Sequence, residues 1–495
     1  MKFQVFKNGK VVDKFALCGA YLFGGDGIGI RRAKISFKNG FIECKRPNLE
    51  TAGLALLWPI DGFGKVLLPT TCLPERERPY NLNVEITRAK LMQIVNKRED
   101  WESQISNFKF QIGLGDICKE GQDLFIRAIQ NISDAPQSSK LADESLKKAI
   151  LFSEKLAIKQ AESLFETRGT NHGFGRGCLG CKVDLREIDN PIYIEKLLEL
   201  FGSVTIPINW SQIESHKGSY DFSTIDACVD VLGQEKLTLS AGPLLCFSKE
   251  YLPRWLLHSR ADFERIRESA YRFVSEVVAR YSGVVRAWYA ISGLNIFNHF
   301  GFRFEQILEM TRAANMAVKQ GSDRALKIIE ISNPWGEYYT TIPNSIPPLV
   351  YMDMVVQSGI NFDAFGLQVR FGKNQSGMHV RDMMQVSAIL DSFAPIAKPL
   401  YVTGVEVPSQ NGTGLQAGKV AGVWHEEWNQ SRQGEWIEKF YKIALSKPFV
   451  NSVTYSNLTD TQDSAIANGG LLTAQLEPKE SYRMLKRLHD EIFSR

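Results

Sequence analysis

Gly359-Ile360-Asn361-Phe362-Asp363-Ala364-Phe365-Gly366-Leu367-Gln368 carries an apolar, strand-like run at 363–368. Helix-patterned segments flank it, near 348–357 and 379–393. The same alternation extends in both directions. Strand-like runs occur near 177–183, 203–209, 237–246, 284–291, 326–331, 399–407 and 450–456. Helical segments intervene near 192–201, 222–233, 262–281, 303–319, 433–445 and 479–493. Eight strand–helix units in about 325 residues is the count of an α/β (β/α)8 TIM barrel, which the pattern predicts over 169–495. No shorter repeat and no low-complexity tract interrupts it.

The full chain has 495 residues, more than one ordinary core accommodates, so two or three domains are expected. Hydrophobic content of 44% and charged content of 23% are those of a globular protein. A net charge of +4 is too mild to imply a nucleic-acid partner. No segment approaches the roughly 18 uninterrupted apolar residues of a membrane span. Lysines and an Asn8-Gly9 turn break up the N-terminal stretch, which does not read as a signal peptide. Eight scattered cysteines read as reduced, buried thiols rather than a disulfide framework. The expectation is a cytoplasmic protein.

Residues 1–82 read as an antiparallel, sandwich-like β domain. Its turns are Lys7-Asn8-Gly9 and Lys38-Asn39-Gly40, flanked by alternating stretches such as Ala33–Phe37 and Phe41–Cys44. A helical connector is expected over 83–168, with helices at 83–97 and 139–168, a loop at 133–139 and a stop at Arg168-Gly169.

Within the barrel, several motifs point to one family. Trp210-Ser211-Gln212-Ile213-Glu214-Ser215-His216-Lys217-Gly218-Ser219-Tyr220-Asp221-Phe222, Leu252-Pro253-Arg254-Trp255, Val285-Arg286-Ala287-Trp288 and the 359–368 stretch occur in order. Lys398-Pro399-Leu400-Tyr401-Val402-Thr403 and Glu477-Pro478-Lys479-Glu480-Ser481-Tyr482 follow. Together they resemble glycoside hydrolase family 10, the endo-β-1,4-xylanases. Nothing in 1–165 takes part in the resemblance.

That resemblance implies retaining hydrolysis by two glutamates, at the C-terminal ends of strands four and seven. One carboxyl protonates the leaving oxygen, and a carboxylate about 5–5.5 Å away attacks the anomeric carbon. Here the strand-four motif reads Trp288-Tyr289-Ala290-Ile291-Ser292-Gly293, and strand seven reads Val402-Thr403-Gly404-Val405-Glu406. Gly293 and Gly404 therefore stand at the acid/base and nucleophile positions, with no proton to give and no oxygen to attack with. Neighbouring sugar-contacting positions differ too. Asn209 stands for a lysine, Thr205-Ile206-Pro207-Ile208 for acidic and amide residues, and Pro243 for a histidine. Phe247 stands for a tryptophan, Arg370 for a histidine, and Tyr455-Ser456 for tryptophan-glycine. Gln368 is retained.

Substitute carboxylates are Glu406, two residues beyond Gly404 on the same strand face, and Glu330 near the end of strand five. Both are weighed against purely structural roles. Glu337, after Pro334-Trp335-Gly336, is a weaker loop candidate. Gln368, Trp335, Trp424, Trp428 and Asn295 are candidate ligand-binding residues, the tryptophans because aromatic faces stack on sugar rings. Trp210 and Trp288 match family core positions. The loop carrying Trp424-His425-Glu426-Glu427-Trp428, after the glycine-rich 409–422, is placed to cover the barrel mouth. The lone Cys178-Leu179-Gly180-Cys181 lacks a second pair and reads as buried thiols, so neither metal nor cofactor is expected.

The reading is a pseudo-glycosidase, inactive by the standard mechanism, acting as a carbohydrate-binding or protein-binding scaffold. Its partners would be a β-linked oligo- or polysaccharide, a protein, or a second copy. Two alternatives stand beside it. One is an active β-1,4-glycanase using non-standard carboxylates, the other a structural or assembly protein with no sugar ligand.

Overall fold

The computed structural model describes residues 1–104, 112–259, 261–410, 421–461 and 464–494. Most of the 409–422 loop, at 411–420, lies outside the described residues.

Eight parallel strands close into a barrel: β8 (Leu179–Lys182), β9 (Ser203–Ile206), β10 (Thr238–Ala241), β11 (Ala287–Ser292), β12 (Leu326–Ile331), β13 (Ala364–Arg370), β14 (Leu400–Glu406) and β15 (Val450–Tyr455). Neighbours pair in sequence order, and β15 pairs back onto β8. One outer helix follows each strand: α4 (Pro191–Leu200), α5 (Ser223–Leu232), α6 (Phe263–Tyr281), α7 (Phe304–Gly321), α8 (Pro348–Gln357), α9 (Met383–Phe393), α10 (Gln430–Ser446) and α11 (Glu480–Phe493). Short polar side chains start several of them. Asn190, Asp262, Asp382 and Asn429 each accept a backbone N–H of the first turn, supplying a partner that the helix itself lacks there. The register shifts in β11 at Tyr289/Ile291 and between β13 and β14 at Leu367/Gln368. Such irregularities re-aim side chains at a barrel rim.

The N-terminal region is β-rich. One sheet runs β3 (Lys34–Lys38), β4 (Phe41–Lys45), β1 (Lys2–Gln4) and β7 (Tyr80–Asn81). The β3–β4 turn pairs Lys38 with Phe41, with Asn39 at φ 51° and Gly40 at φ 80°, the left-handed pair that a two-residue hairpin loop requires. β7 lies parallel to β1, so this sheet is mixed rather than wholly antiparallel. The second sheet contains β2 (Tyr21–Phe23), β5 (Gly53–Ile60) and β6 (Gly64–Pro69). Its fourth strand, Val423–Trp424, comes from the barrel loop after β14 and pairs with Gly64 and Lys65.

The connector is longer and more helical than its sequence suggests: α1 (Leu82–Gln104), α2 (Ile112–Gln130) and α3 (Ala135–Asn171). The expected 133–139 loop is instead mostly the start of α3. Asp134 caps Gln137 N–H at 3.2 Å, and a proline occupies the first turn, where its missing N–H costs nothing. Nor does α3 stop at Arg168-Gly169. The Arg168 guanidinium docks on the carbonyls of Leu445, Lys447 and Val450 at 2.8–3.0 Å, and the helix continues beside α10.

Two further contacts fasten the N-terminal half to the C-terminal face of the barrel. Glu154 of α3, buried, accepts the Met383 N–H at 3.1 Å, the Trp424 indole N–H at 2.7 Å and the His425 imidazole at 2.7 Å. Lys90 of α1 and Asp382 form a buried ion pair at 2.9 Å. One carboxylate thus holds the loops after β13 and β14 at once. Glu154→Ala leaves these donors without their acceptor, an expected loss of about 3 kcal/mol in urea unfolding. Glu154→Gln keeps one acceptor and should lose less. A change in the alanine variant below about 0.5 kcal/mol would contradict this anchoring role.

Candidate functional site at the barrel mouth

Gly293 directly follows the last residue of β11, and Gly404 lies within β14, two residues before its end. Gly293 follows Ser292 with φ +59°, and its N–H donates to the Glu330 carbonyl at 2.8 Å. A Cβ there would lie 2.6 Å from Phe297 Cδ2 and 2.8 Å from Ser332 Oγ. Backbone strain and crowding both oppose any side chain at 293. Gly404 is different, since it lies in an extended strand where any residue fits the backbone. A Cβ at 404 would meet Ser456 Oγ at 3.2 Å, Arg370 Nη2 at 3.5 Å and Gln368 Cγ at 3.6 Å. The Arg370 guanidinium and Gln368 occupy the ground a longer side chain would enter.

Glu330 is buried, and its carboxylate accepts the hydroxyls of Ser292 on β11 and Thr403 on β14. It therefore bridges the residues immediately before Gly293 and Gly404. Glu406, 1% exposed, is held from the other side. It accepts from Asn457 at 2.7 Å and from the Ser464 hydroxyl, and stands 3.9 Å from Arg370 Nε. A Cβ on Gly469 would lie 2.6 Å from its Oε1, so the βα8 loop closes over it. The two substitute carboxylates are thus engaged with separate partners, within the barrel wall and its loops.

The candidate binding residues divide. Gln368 and Trp335 are half-buried. Gln368 accepts from Ser332 Oγ at 3.4 Å, and Trp335 lies between Phe371 and the Arg381 guanidinium, 4.3 Å from its ring. Asn295 is fully buried, donating to Tyr338 and, at 3.4 Å, to Ser332 O. Trp424 is fully buried against Glu154 and His425, and Trp428 is 3% exposed. Neither indole presents an open face to a sugar. The reason is the added strand: pairing of 423–424 with the hairpin carries Trp424 into the interface between the two halves. Trp210 and Trp288 are core residues, Trp210 donating to Glu214 at 2.7 Å and stacking on Phe273.

The buried barrel thiols Cys178, Cys228 and Cys246 are not activated nucleophiles. Burial pushes Cys178 and Cys228 up to about 12 and Cys246 up to about 11, so these stay protonated at neutral pH. Among the described residues no group of three His, Cys, Asp or Glu side chains could hold a metal ion, and no helix is long and apolar enough to cross a membrane.

Glu337 sits in a short turn, Glu337–Thr340, entered through Gly336 at φ 76°. It is buried and paired with Arg381 at 2.7 Å. Its partner lies 44 residues further on, on a different loop, beyond the reach of local spacing.

Residues 173–293, which contain β8–β11, match the model of "Glycosyl hydrolase family 10". The chain is 28% identical over 123 residues to endo-1,4-beta-xylanase A of Caldicellulosiruptor sp. (strain Rt8B.4), a match covering 22% of this chain and 18% of that relative. Xylanase 10B from Thermotoga petrophila RKU-1, solved in complex with xylobiose, aligns with TM-score 0.50 at 16% identity, over 66% of this chain and 97% of that one. A family 10 structure from Paenibacillus barcinonensis aligns with TM-score 0.50 at 17% identity, over 62% and 94%.

Alanine at the two glycines separates backbone constraint from chemistry. Gly293→Ala should cost about 1–3 kcal/mol by thermal or urea unfolding, and Gly404→Ala less than about 1 kcal/mol. Equal losses at both positions would contradict the geometry described. Residues 173–293 thus match the family 10 model by sequence, and the barrel as a whole shares the (β/α)8 fold of the solved family 10 structures.

Proposed function

We propose that this barrel is a pseudo-glycosidase, a family 10 scaffold that has given up retaining hydrolysis and serves in binding. The observation that carries the reading is the state of the two positions where the mechanism needs carboxylates. At 293 the left-handed backbone and the Phe297 and Ser332 contacts oppose a side chain. At 404 glycine offers no carboxylate, and the only tight neighbour of a Cβ there would be Ser456 Oγ at 3.2 Å. A general acid alone is typically worth about 10²- to 10⁴-fold, and loss of the nucleophile removes the two-step route as well.

The alternative of an active glycanase with Glu406 or Glu330 as substitutes is disfavoured by their partners. Glu330 accepts on both oxygens and Glu406 on one, and both are at most 3% exposed, so burial holds them away from an anomeric carbon. A β-linked oligosaccharide is the ligand class suggested by the family 10 fold, with Gln368 and Trp335 as the half-exposed residues to meet it. The burial of Trp424, Trp428 and Asn295 favours a second reading, a protein scaffold without a sugar ligand.

The purified full chain should release no product from xylan or from 4-nitrophenyl β-xylobioside above the buffer rate. Turnover that disappears in Glu406→Gln or Glu330→Gln would establish the active-enzyme alternative instead. Calorimetry with xylobiose and xylotetraose then divides the binding readings. Heat that is lost in Gln368→Ala supports the sugar-binding form, and its absence supports the protein scaffold.

A further inference from the structure

The chain's net charge of +4 is unevenly spread. Residues 1–50 carry ten lysines and arginines against four aspartates and glutamates, a net +6, so the rest of the chain comes to −2. Strand register shows where much of the excess lies. In the sheet of β3, β4, β1 and β7, the side chains of Ile35, Phe37, Ile42 and Cys44 pack into the core. Alternate residues turn to the opposite face. Lys34, Ser36, Lys38 and Lys45 are exposed there, and Lys2 pairs with Glu43 at 3.2 Å, their side chains 40% and 41% exposed.

Lys34 and Lys45 stand directly opposite each other across the β3–β4 pair. Like charges in that position destabilise a sheet. Among the described residues no carboxylate lies within ion-pair distance of either, or of Lys38. Glu43, the one acid on this face, is taken by Lys2. Glu75, just beyond it, is taken by Arg46 at 3.4 Å and the Met1 amine at 2.5 Å. The face thus keeps four lysines against one glutamate, a net +3 that folding of the sheet does not call for.

Its layout narrows the partner. Lys34 and Lys38 are four residues apart, about 13 Å along the strand. Ammonium groups so spread cannot converge on one small anion, and they suit a chain with repeating negative charge. Phe41 is the one apolar residue of this face, and the Lys2 ammonium lies 4.4 Å from its ring, so nothing is offered for insertion into a bilayer. No arginine on the face provides the planar fork that favours phosphate. A peptide laid across it would leave its backbone N–H groups short of acceptors, since lysine only donates. Sugar hydroxyls accept from lysine and exchange hydrogen bonds with Ser36, while uronate carboxylates pair with the ammonium groups.

We propose that this outer face of the N-terminal sheet docks a carboxylate-bearing polysaccharide, held by Lys34, Lys38 and Lys45. It does not rest on the reading of the barrel mouth, and its failure leaves that reading untouched.

Calorimetry of the full chain with hexagalacturonate, an oligoglucuronate and neutral xylohexaose tests this. At least one acidic probe should bind at low salt with a dissociation constant of about 1 mM or tighter, and lose about tenfold or more on raising the salt to 0.5 M. Lys34→Glu combined with Lys45→Glu should weaken that binding about tenfold or more. Lys155→Glu with Lys236→Glu, an equal charge change at exposed lysines elsewhere, should leave it within about twofold. Gln368→Ala should leave it unchanged, and any heat from xylohexaose should be insensitive to the Lys34 and Lys45 changes. Carbodiimide coupling of the acidic probe to the wild-type chain gives a readout independent of how the variants fold. Amide formation mapped to Lys34, Lys38 or Lys45 supports the proposal. Heat from neither acidic probe, equal weakening in both double variants, loss in Gln368→Ala, or coupling only at other lysines overturns it. So does equally tight binding of poly-L-glutamate or of phosphatidylserine vesicles.

Discussion

Inside the barrel, one buried carboxylate, that of Glu330, takes the hydroxyls of Ser292 and Thr403 at the same time. A charge in that position must be satisfied by hydrogen bonds, since an unpaired buried carboxylate costs several kcal/mol. Its partners sit on β11 and β14, each one residue before a glycine. The Glu330 backbone carbonyl also accepts the Gly293 N–H at 2.8 Å. Side chain and main chain of one residue therefore fix the two strand ends where a retaining glycosidase keeps its carboxylate pair. The left-handed turn at Gly293, the approach of Arg370 to Gly404 and the enclosure of Glu406 are arranged around that fixed frame.

A second frame is external. Barrels of this kind place function on the loops at their C-terminal face, and those loops are usually free to vary. Here the loops after β12, β13 and β14 are engaged by the N-terminal half. Arg31 bonds the carbonyls of Tyr339 and Ser345, Glu154 collects donors from Met383, Trp424 and His425, and β6 recruits 423–424 as a strand. Part of the barrel's C-terminal face is thus an internal interface.

The barrel was legible in the sequence because its signals are local. Each of the eight strand runs and helix stripes is a periodicity within one segment, and the observed bounds depart from the reading mainly at strand ends. The connector was less legible. Residues 133–139 have a loop's composition, yet Asp134 and the following proline are also a helix start, and only packing decides between the two. In the site, the two glycines could be read directly, since what they lack is independent of context. The roles of Trp424 and Glu337 could not, because each depends on a partner far away in the chain: Glu154 lies 270 residues from Trp424, and Arg381 lies 44 from Glu337. An exposed tryptophan in a loop and a buried one in an interface have the same local sequence. Glu330 and Glu406 raise the same difficulty, because chemical type is visible in sequence and burial among distant partners is not.

On the pseudo-glycosidase reading, no carboxylate of this barrel acts as a glycosidic nucleophile. A 2-deoxy-2-fluoro-β-xylobioside inactivator traps such a nucleophile as a stable glycosyl ester, so intact-mass spectrometry after prolonged incubation reads the claim directly. The account predicts an unmodified chain. A stoichiometric adduct mapping to Glu406 or Glu330 would contradict it.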